Sequence, residues 1–239
     1  MTIETLDFSG RVREHGYSVA ENIVDNATVL SLRESVAEIL EAGDSMERDR
    51  KGYGLRHLLN RIPLVRKVAD SSEMLSIAES VLGPGTKPIK GTFFDKVPTA
   101  NWKVHWHQDF TIAVKDHSDA PGFGPWTVKD DVLHVQPPRE VMENILALRL
   151  HLDDSHADNG ALRVLPGSHR MGKMTSSEID QVLKENEAET CMVRAGGVLV
   201  MRPLLLHCSG PATTPSHRRV IHLEYSAMGL PGSLEWYEA

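Results

Sequence analysis

The order of apolar and polar residues divides the chain into a helical first third and a β-rich remainder. Two segments, 27–42 and 73–82, carry apolar residues at the three- and four-residue spacing of one helix face. Asn26 stands directly before the first of them and is the expected N-cap. The pattern therefore predicts helices that flank whatever fold the rest of the chain adopts.

After the turn at 83–88 the pattern changes to short β-prone runs bounded by Gly, Pro, Asn and Asp. The runs are KGTFFDKV, NILALRLHLDD, GALRVLPG, GGVLVM and RRVIHLEYS. Helical spacing returns only near 176–187, so strands and helices do not alternate as a parallel sheet requires. The pattern predicts a mainly β fold of antiparallel strands, in a sandwich, barrel or jelly roll with flanking N-terminal helices.

Length and composition indicate one folded unit. The chain has 239 residues, of which 41% are hydrophobic and 25% charged, and this is enough apolar material for a sizeable core. We expect a single domain over residues 1–239. Its helical N-terminal layer would cover about 1–85 and its jelly-roll core about 86–228.

Charge and residue usage argue against several classes of partner. The formal net charge of -7 opposes a nucleic-acid backbone or an anionic membrane surface. The most apolar run, GGVLVMRPLLLH, is too short to cross a bilayer, and residues 1–17 lack the apolar stretch of a signal peptide. Cys191 and Cys208 cannot form a disulfide framework. We expect a cytoplasmic protein with a small-molecule substrate, and the sequence leaves its oligomeric state open.

A His-x-Asp sequence within WKVHWHQDF is the first candidate for chemistry. If this segment is a strand, its period of two places His107 and Asp109 on the same face. An imidazole and a carboxylate are two of the three ligands of a 2-His-1-carboxylate Fe(II) site, which leaves positions open for a chelating co-substrate and O₂. We expect His207, which follows an apolar strand in RPLLLHCSGP, to be the third ligand.

Arg218 and Ser209 are the predicted binding residues for 2-oxoglutarate as that co-substrate. Arg218 lies eleven positions after His207 and begins the run RRVIHLEYS. Its guanidinium would bind the far carboxylate through a two-point fork, and Ser209 would donate to the same carboxylate. Arg219 is the alternative to Arg218 for this role. Because neighbouring strand residues face opposite sides, only one of the two can face the metal.

A second His-x-Asp, His151–Leu152–Asp153, matches the metal-ligand pattern and lies nearer to His207 in the sequence. Spacing alone does not decide between the two.

Two further segments are candidates for substrate contact. The Gly/Pro-rich segment at 115–139 is longer than an ordinary connection and predicts a pocket wall or lid with Trp126 as an apolar contact, the alternative being a surface loop. The basic stretch at 46–67 would meet an acidic substrate through Arg56, unless its charge is only solvation of a helical face.

Three blocks of the chain resemble the phytanoyl-CoA dioxygenase family. They read HWHQDF at 105–110, LDDSHADNGALRVLPGSH at 152–169 and HCSGPATTPSHR at 207–218, and the resemblance extends from about Gly16 to Tyr225. It implies a double-stranded β-helix, a cupin-like jelly roll. It also implies the roles given above to individual residues. His107, Asp109 and His207 would bind iron, and Arg218 with Ser209 would bind 2-oxoglutarate.

The resemblance also decides between the alternatives. The family's Leu-Asp-Asp block is structural, which makes His151 an ordinary strand residue, and the eleven-residue spacing from the last iron ligand selects Arg218 over Arg219. The family's Lys-Pro-Pro segment reads Lys96-Val97-Pro98 here. Because one proline is missing, the resemblance assigns no role to Lys96.

The function that the resemblance implies is that of an Fe(II)- and 2-oxoglutarate-dependent dioxygenase. It would hydroxylate a small metabolite or biosynthetic intermediate with O₂ and release succinate and CO₂. Asp109 argues against the halogenating relatives, which replace this carboxylate by a small residue. The alternatives are a non-redox metal-dependent jelly-roll enzyme, against which Arg218 argues, and a catalytically silent metabolite-binding module of the same fold, which would be expected to lack a metal ligand.

Overall fold

The computed structural model describes residues 8–42, 53–96, 101–214 and 217–239, which form three antiparallel sheets and a layer of helices. The helices are α1 (Phe8–His15), α2 (Asn26–Ala42), α3 (Leu58–Arg61), α4 (Pro63–Ala69), α5 (Ser72–Leu82), α6 (Arg139–Glu143) and α7 (Ser176–Glu185). The strands are β1 (Tyr17–Ala20), β2 (Tyr53–Arg56), β3 (Lys87–Lys96), β4 (Val104–His107), β5 (Ile112–Val114), β6 (Trp126–Lys129), β7 (Val132–Val135), β8 (Ile145–His151), β9 (Leu162–Val164), β10 (Glu189–Thr190), β11 (Val198–Met201), β12 (His207–Ser209) and β13 (Arg218–Ser226).

The two larger sheets form the jelly roll. One has six strands in the order β1-β11-β8-β13-β3-β2, and the other has four in the order β10-β9-β12-β4. Ala147 and Leu199 of the six-stranded sheet share a buried apolar cluster with Leu162 and Val164 of the four-stranded sheet, so the sheets pack against each other. The predicted mainly β, cupin-like fold with N-terminal helices is confirmed.

Side chains on β3 and β13 of the six-stranded sheet alternate between an apolar outer face and a mainly polar inner face. On β13, Arg218, Val220, His222 and Glu224 point to one side, and Arg219, Ile221 and Leu223 point to the other. Burial of an aliphatic side chain stabilises a fold by about 1.5–3 kcal/mol, which drives the helices onto the apolar face. That shared core includes Leu32, Val36, Ala69, Leu148, Leu150, Ile221 and Leu223. The polar face is left to line a cavity.

The first turn of α2 is capped by Asp25 and not by Asn26. Asp25 accepts hydrogen bonds from the backbone N of Thr28 at 2.9 Å and from its hydroxyl at 2.7 Å. Asn26 is the first helical residue, so the expected cap was placed one position late. A carboxylate at this position satisfies a backbone donor of the first helical turn.

Two strands interrupt the segment that the pattern predicted to be largely helical. Tyr17–Ala20 pairs with β11, and Tyr53–Arg56 pairs with β3, so these strands form the two edges of the six-stranded sheet. Each has only four residues, too few for alternation to be distinguished from helical spacing. The second strand places Arg56 beside the cavity. Residues 46–52 of the basic stretch lie outside the described residues.

The Gly/Pro-rich segment at 115–139 is not one long loop, because it contains the hairpin of β6 and β7. The turn residues Asp130 and Asp131 both have positive φ, at 50° and 61°, as tight hairpins require. Lys129 lines the cavity, whereas Trp126 packs on the ring of His117 at 4.3 Å. Trp126 is not among the cavity-lining residues in this structure, and its contact with a substrate stays a prediction.

None of the helices within the described ranges combines the length and the apolar character needed to span a membrane.

Candidate metal centre and its pocket

A cavity of about 290 Å³ lies between the two larger sheets. Its walls come from β3, β8 and β13 on one side, from β4 and β12 on the other, and from the β6–β7 hairpin at one edge. Most of the polar side chains on the inner face of the six-stranded sheet are therefore directed at one space.

Three side chains converge in this cavity with the spacing of metal ligands. One nitrogen each from His107 and His207 and one oxygen of Asp109 all lie within 4.8 Å of one another. The Nε2 atoms of His107 and His207 are 3.8 and 3.7 Å from the two carboxylate oxygens of Asp109. The pairing of β4 with β12 sets His107 directly opposite His207. Antiparallel pairing thus joins residues that are one hundred positions apart.

The backbone reaches this arrangement differently from the prediction. Strand β4 ends at His107, and Asp109 lies in the irregular segment that follows, with its backbone N bonded to the oxygen of Pro203 at 2.9 Å. His207 begins β12 and does not end an apolar strand, because β11 stops at Met201. Hydrogen bonding to the turn before His207, and not strand alternation, directs Asp109 toward the two histidines.

Both histidines present Nε2 to the centre of the cluster. The Nδ1 atom of His107 lies 2.8 Å from the oxygen of His105, and that of His207 lies 2.8 Å from the oxygen of Leu205. Each Nδ1 therefore carries the proton and donates it to a carbonyl, which leaves the lone pair of Nε2 available for a metal. The two rings are held at a centroid distance of 4.2 Å.

The protonation states in the cluster match those of a metal site. Burial acts to raise the pKa of Asp109, but His207, His222, His107 and Lys90 together lower it to about 2. Burial lowers the pKa of His207 to about 4, with Asp109 acting in the opposite direction. At neutral pH the carboxylate is ionised and the imidazole of His207 is neutral, as ligation requires.

Gln108, between the two ligands, connects the ligand segments to each other. Its side chain is buried, and Nε2 donates to the oxygens of Gly172 and Leu204 at 2.8 and 2.7 Å. Its Oε1 accepts from the backbone N of Met174 at 3.0 Å. The prediction used Gln108 only as a spacer. The structure shows that it joins the His-x-Asp segment to the turn that precedes His207.

A buried guanidinium lies in the same cavity. Arg218 is 5% exposed, and among the described residues its Nε and Nη1 atoms have no hydrogen-bond partner. Its Nη2 is 3.5 Å from the hydroxyl of Ser209. Burial and the repulsion of Arg149 lower the pKa of Arg218 to about 10, so it stays charged at neutral pH. Donors that are buried without acceptors are costly, and a carboxylate would satisfy both.

Lys96, to which the sequence assigned no role, lies beside Arg218. Register places it directly across from Arg218 in the β3–β13 pair, and its Nζ donates to the hydroxyl of Ser209 at 2.7 Å and to the oxygen of Gly210. The Ser209 hydroxyl directs its own proton to the oxygen of Gly160 at 2.7 Å, so it accepts from both cations and holds them in place. Strand register, which the sequence does not reveal, is what identifies Lys96.

The competing residues are occupied elsewhere. The guanidinium of Arg219 forms a two-point ion pair with Asp153, at 2.8 Å for both bonds, and Arg33 reaches the same carboxylate at 2.9 Å. His151 is buried in β8, and neither ring nitrogen has a hydrogen-bond partner among the described residues. Within that part of the chain, neither His151 nor Asp153 belongs to the metal-ligand cluster.

Comparison with known proteins identifies the family. The family model described as phytanoyl-CoA dioxygenase matches residues 12–220. Among curated proteins, the chain is 23% identical to a probable alpha-ketoglutarate-dependent hypophosphite dioxygenase of Stutzerimonas stutzeri, over 92% of this chain and 79% of the relative. It is 25% identical to the iron/alpha-ketoglutarate-dependent dioxygenase ausU of Aspergillus calidoustus, over 92% of this chain and 69% of the relative.

Solved structures share the fold. AviO1 from Streptomyces viridochromogenes Tue57 superposes with a TM-score of 0.70 at 20% identity and covers 97% of this chain and 99% of that one. EctD from S. alaskensis, solved with 2-oxoglutarate and 5-hydroxyectoine, superposes with a TM-score of 0.72 at 17% identity, over 95% and 78% of the chains. Because the family model matches residues 12–220, which are most of the chain, this chain belongs to the phytanoyl-CoA dioxygenase family.

Proposed function

We propose that this chain is an Fe(II)- and 2-oxoglutarate-dependent dioxygenase that hydroxylates a small metabolite or biosynthetic intermediate. The observation that carries the proposal is the presence, in one cavity, of the His107–Asp109–His207 cluster and the unpaired, buried guanidinium of Arg218. The family match and the two curated relatives named as alpha-ketoglutarate-dependent enzymes support both cofactors.

The donor set suits Fe(II). Two imidazole nitrogens and one carboxylate oxygen form the 2-His-1-carboxylate arrangement, which leaves positions for a chelating co-substrate and O₂. The three protein ligands line the cavity and would hold the iron there. The carbonyls that accept from each Nδ1 would fix the ring orientations. Retention of the carboxylate of Asp109 favours hydroxylation over halogenation.

Arg218 and Lys96 would bind the distal carboxylate of 2-oxoglutarate. Arg218 offers two unpaired N–H groups, and Lys96 adds a second cation, with the hydroxyl of Ser209 between them. When bound, iron and 2-oxoglutarate supply the oxidation of a C–H bond by O₂ with release of succinate and CO₂. The residues of the chain bind and orient both partners. Phe94, Trp102 and Leu162 line the same cavity and would limit the access of water.

Two other functions fit less well. A non-redox metal enzyme would need the ligand cluster but has no use for two buried cations in the same cavity. A silent binding module would not need to retain three ligands with their protonation states in place.

We also propose a cytoplasmic location. Cys191 and Cys208 are both free thiols, which suits a reducing compartment, and the substrate partners would be a small molecule and O₂.

Anaerobic addition of Fe(II) and then 2-oxoglutarate is expected to produce a weak visible charge-transfer band, because chelation by the 2-oxoacid requires the two open positions on iron. The measurement is a difference absorption spectrum against the Fe(II)-loaded protein. Zn(II) in place of Fe(II) is the control and should give no band. A folded protein that binds Fe(II) but shows no band would contradict 2-oxoglutarate as the co-substrate.

The affinity for 2-oxoglutarate is expected to fall as the pH rises through about 8. Burial, with a contribution from Arg218, lowers the pKa of Lys96 to about 8, and the thiol of Cys208 acts in the opposite direction. Above that pH, binding of the carboxylate requires uptake of a proton, so kcat/KM for 2-oxoglutarate should decline by up to about tenfold per pH unit. The measurement is succinate formation at varied 2-oxoglutarate and pH.

The Lys96→Met variant should show a higher KM for 2-oxoglutarate at neutral pH and should lose this pH dependence. Lys184 is an exposed lysine on α7, and the Lys184→Met variant should keep the KM and the pH dependence of the parent protein. An unchanged pH profile in Lys96→Met would exclude Lys96 from the carboxylate site.

A further inference from the structure

The cavity is strongly cationic although the chain is acidic. Among the described residues it is lined by six cationic side chains and two carboxylates, whereas the whole chain carries a formal net charge of -7. The cations are Arg56, Lys90, Lys96, Lys129, Arg149 and Arg218, and the carboxylates are Asp109 and Glu224. Fe(II) and 2-oxoglutarate carry opposite charges of equal size, so loading both leaves the positive excess in place.

The cations are arranged in two groups along the sheet. Lys96 pairs with Arg218 at one end of the β3–β13 ladder, and Lys90 pairs with Glu224 six residues away on each strand. Six residues of strand separate the two pairs by roughly 20 Å of backbone. Arg56 sits opposite Thr92 in the β2–β3 pair, next to the Lys90 end. We call Arg56, Lys90, Lys129 and Arg149 the second group. It is distinct from the pair of Lys96 and Arg218, which would bind the distal carboxylate of 2-oxoglutarate.

The second group faces the metal ligands. Lys90 and His222 line the same cavity as the three metal-ligand side chains. Arg149 lies directly across from His222 in the β8–β13 pair, and its Nη1 is 2.9 Å from Nδ1 of that histidine. An anion held by this group would lie beside the iron site.

Two members of the group have no acidic partner among the described residues. The Nζ of Lys129 is 3.5 Å from the hydroxyl of Thr111, and no described carboxylate lies within ion-pair distance of it. Arg149 is 8% exposed, its Nε has no hydrogen-bond partner, and no described carboxylate pairs with it. A buried charge without a counter-charge costs several kcal/mol. Arg149 thus supplies unused donors deep in the cavity.

Each of the other two members has one carboxylate partner. Arg56 bonds Asp130 at 2.6 Å, and Lys90 bonds Glu224 at 2.6 Å. Burial lowers the pKa of Lys129, and repulsion from Arg56 and Lys90 lowers it further. The mutual repulsion of these cations is the feature that a bound anion would relieve.

We infer that Arg56, Lys90, Lys129 and Arg149 form a subsite for an oxyanion group of the primary substrate. The substrate is a small organic acid, either a carboxylate or a phosphonate, whose charged group is held here while the rest of the molecule lies over the iron ligands. This inference rests on the proposed function. A cavity of about 290 Å³ that would be shared with 2-oxoglutarate suits a small molecule of this kind.

The test is calorimetric titration of the anaerobic Fe(II)–2-oxoglutarate protein at low ionic strength with four size-matched probes. These are propionate, methylphosphonate, propionamide and propylamine. We expect at least one of the two anions to bind while 2-oxoglutarate stays bound, to bind more weakly as salt is added, and to exceed the neutral and cationic probes. The anion that binds more tightly identifies the class of acid.

Two charge-reversal variants test the location. Lys129→Glu, at the exposed end of β6, should weaken binding of the anion by at least about tenfold. Lys184→Glu makes the same charge change at an exposed position of α7 that does not line the cavity, and it should leave binding unchanged. Equal binding by the two variants, stronger binding of propylamine or propionamide, displacement of the anion by 2-oxoglutarate, or no anion binding would each overturn the subsite.

The charge-transfer band separates this inference from the function on which it rests. Both variants should retain the band, because neither residue lies in the Arg218 group or the ligand cluster. A band without anion binding overturns the subsite and leaves the proposed function intact. No band in the parent protein overturns the proposed function and the substrate class with it.

Discussion

Asp109→Ala is expected to reduce succinate formation by at least about 100-fold, because loss of even an outer partner of a metal ligand costs 10–100-fold in affinity or activity. The variant removes the only carboxylate of the described ligand cluster and leaves His107 and His207 in place. The fold should persist, since Asp109 lies in an irregular segment outside the strands. The measurements are Fe(II) affinity, succinate formation at saturating Fe(II), and circular dichroism.

Asp153→Ala is the matched control. Asp153 pairs with Arg219 and Arg33 on the far side of the sheet, so its loss should lower the free energy of unfolding by about 1–3 kcal/mol, measured by urea denaturation. Fe(II) affinity should remain. Loss of iron in Asp153→Ala or in His151→Ala comparable to that in Asp109→Ala would transfer the metal site to the second His-x-Asp.

Arg218→Lys is expected to raise the KM for 2-oxoglutarate by about tenfold or more. Lysine keeps the charge but loses the planar two-point fork, and a hydrogen bond to a charged group contributes about 1.5–3 kcal/mol. The Nε and Nη1 of Arg218, which lack partners among the described residues, are the donors that the variant removes from the cavity. The measurement is succinate formation against 2-oxoglutarate concentration with Fe(II) saturating, uncoupled from any primary substrate.

Arg219→Lys is the neighbouring control and should leave that KM unchanged. Its guanidinium is engaged with Asp153, so the variant should affect stability only. A larger rise in KM at Arg219 than at Arg218 would mean that the inner face of β13 had been assigned to the wrong set of residues.

The residue types of the site could be predicted from the sequence, but their partners could not. The sequence pattern located β3, β8, β9, β11 and β13, and the three blocks predicted a ligand set whose side chains converge in the structure. Lys96 and Arg149 gave no comparable signal, since a lysine or arginine in a strand is usually solvated. They become visible only through register, which places Lys96 across from Arg218 and Arg149 across from His222.

Local backbone detail was also beyond the sequence. The period of two placed His107 and Asp109 on one strand face, whereas the strand ends at His107 and a hydrogen bond to Pro203 directs Asp109. Ser209 was expected to donate to 2-oxoglutarate, but its proton goes to the oxygen of Gly160. In each case a contact between residues distant in the sequence decides the geometry. The spacing of residue types along the chain carries information only about residues that are close in sequence.

The alternation of β13 has a consequence for how this enzyme could diversify. The positions that face the helices, among them Ile221 and Leu223, pack in the apolar core and stabilise the fold. His222 and Glu224 face the cavity. Substitutions at the cavity positions can therefore alter which molecules are accepted without drawing on the apolar core. Selection for new chemistry and selection for folding act on interleaved residues of one strand, so laboratory evolution would randomise positions 90, 92, 222 and 224 while holding their outward neighbours constant.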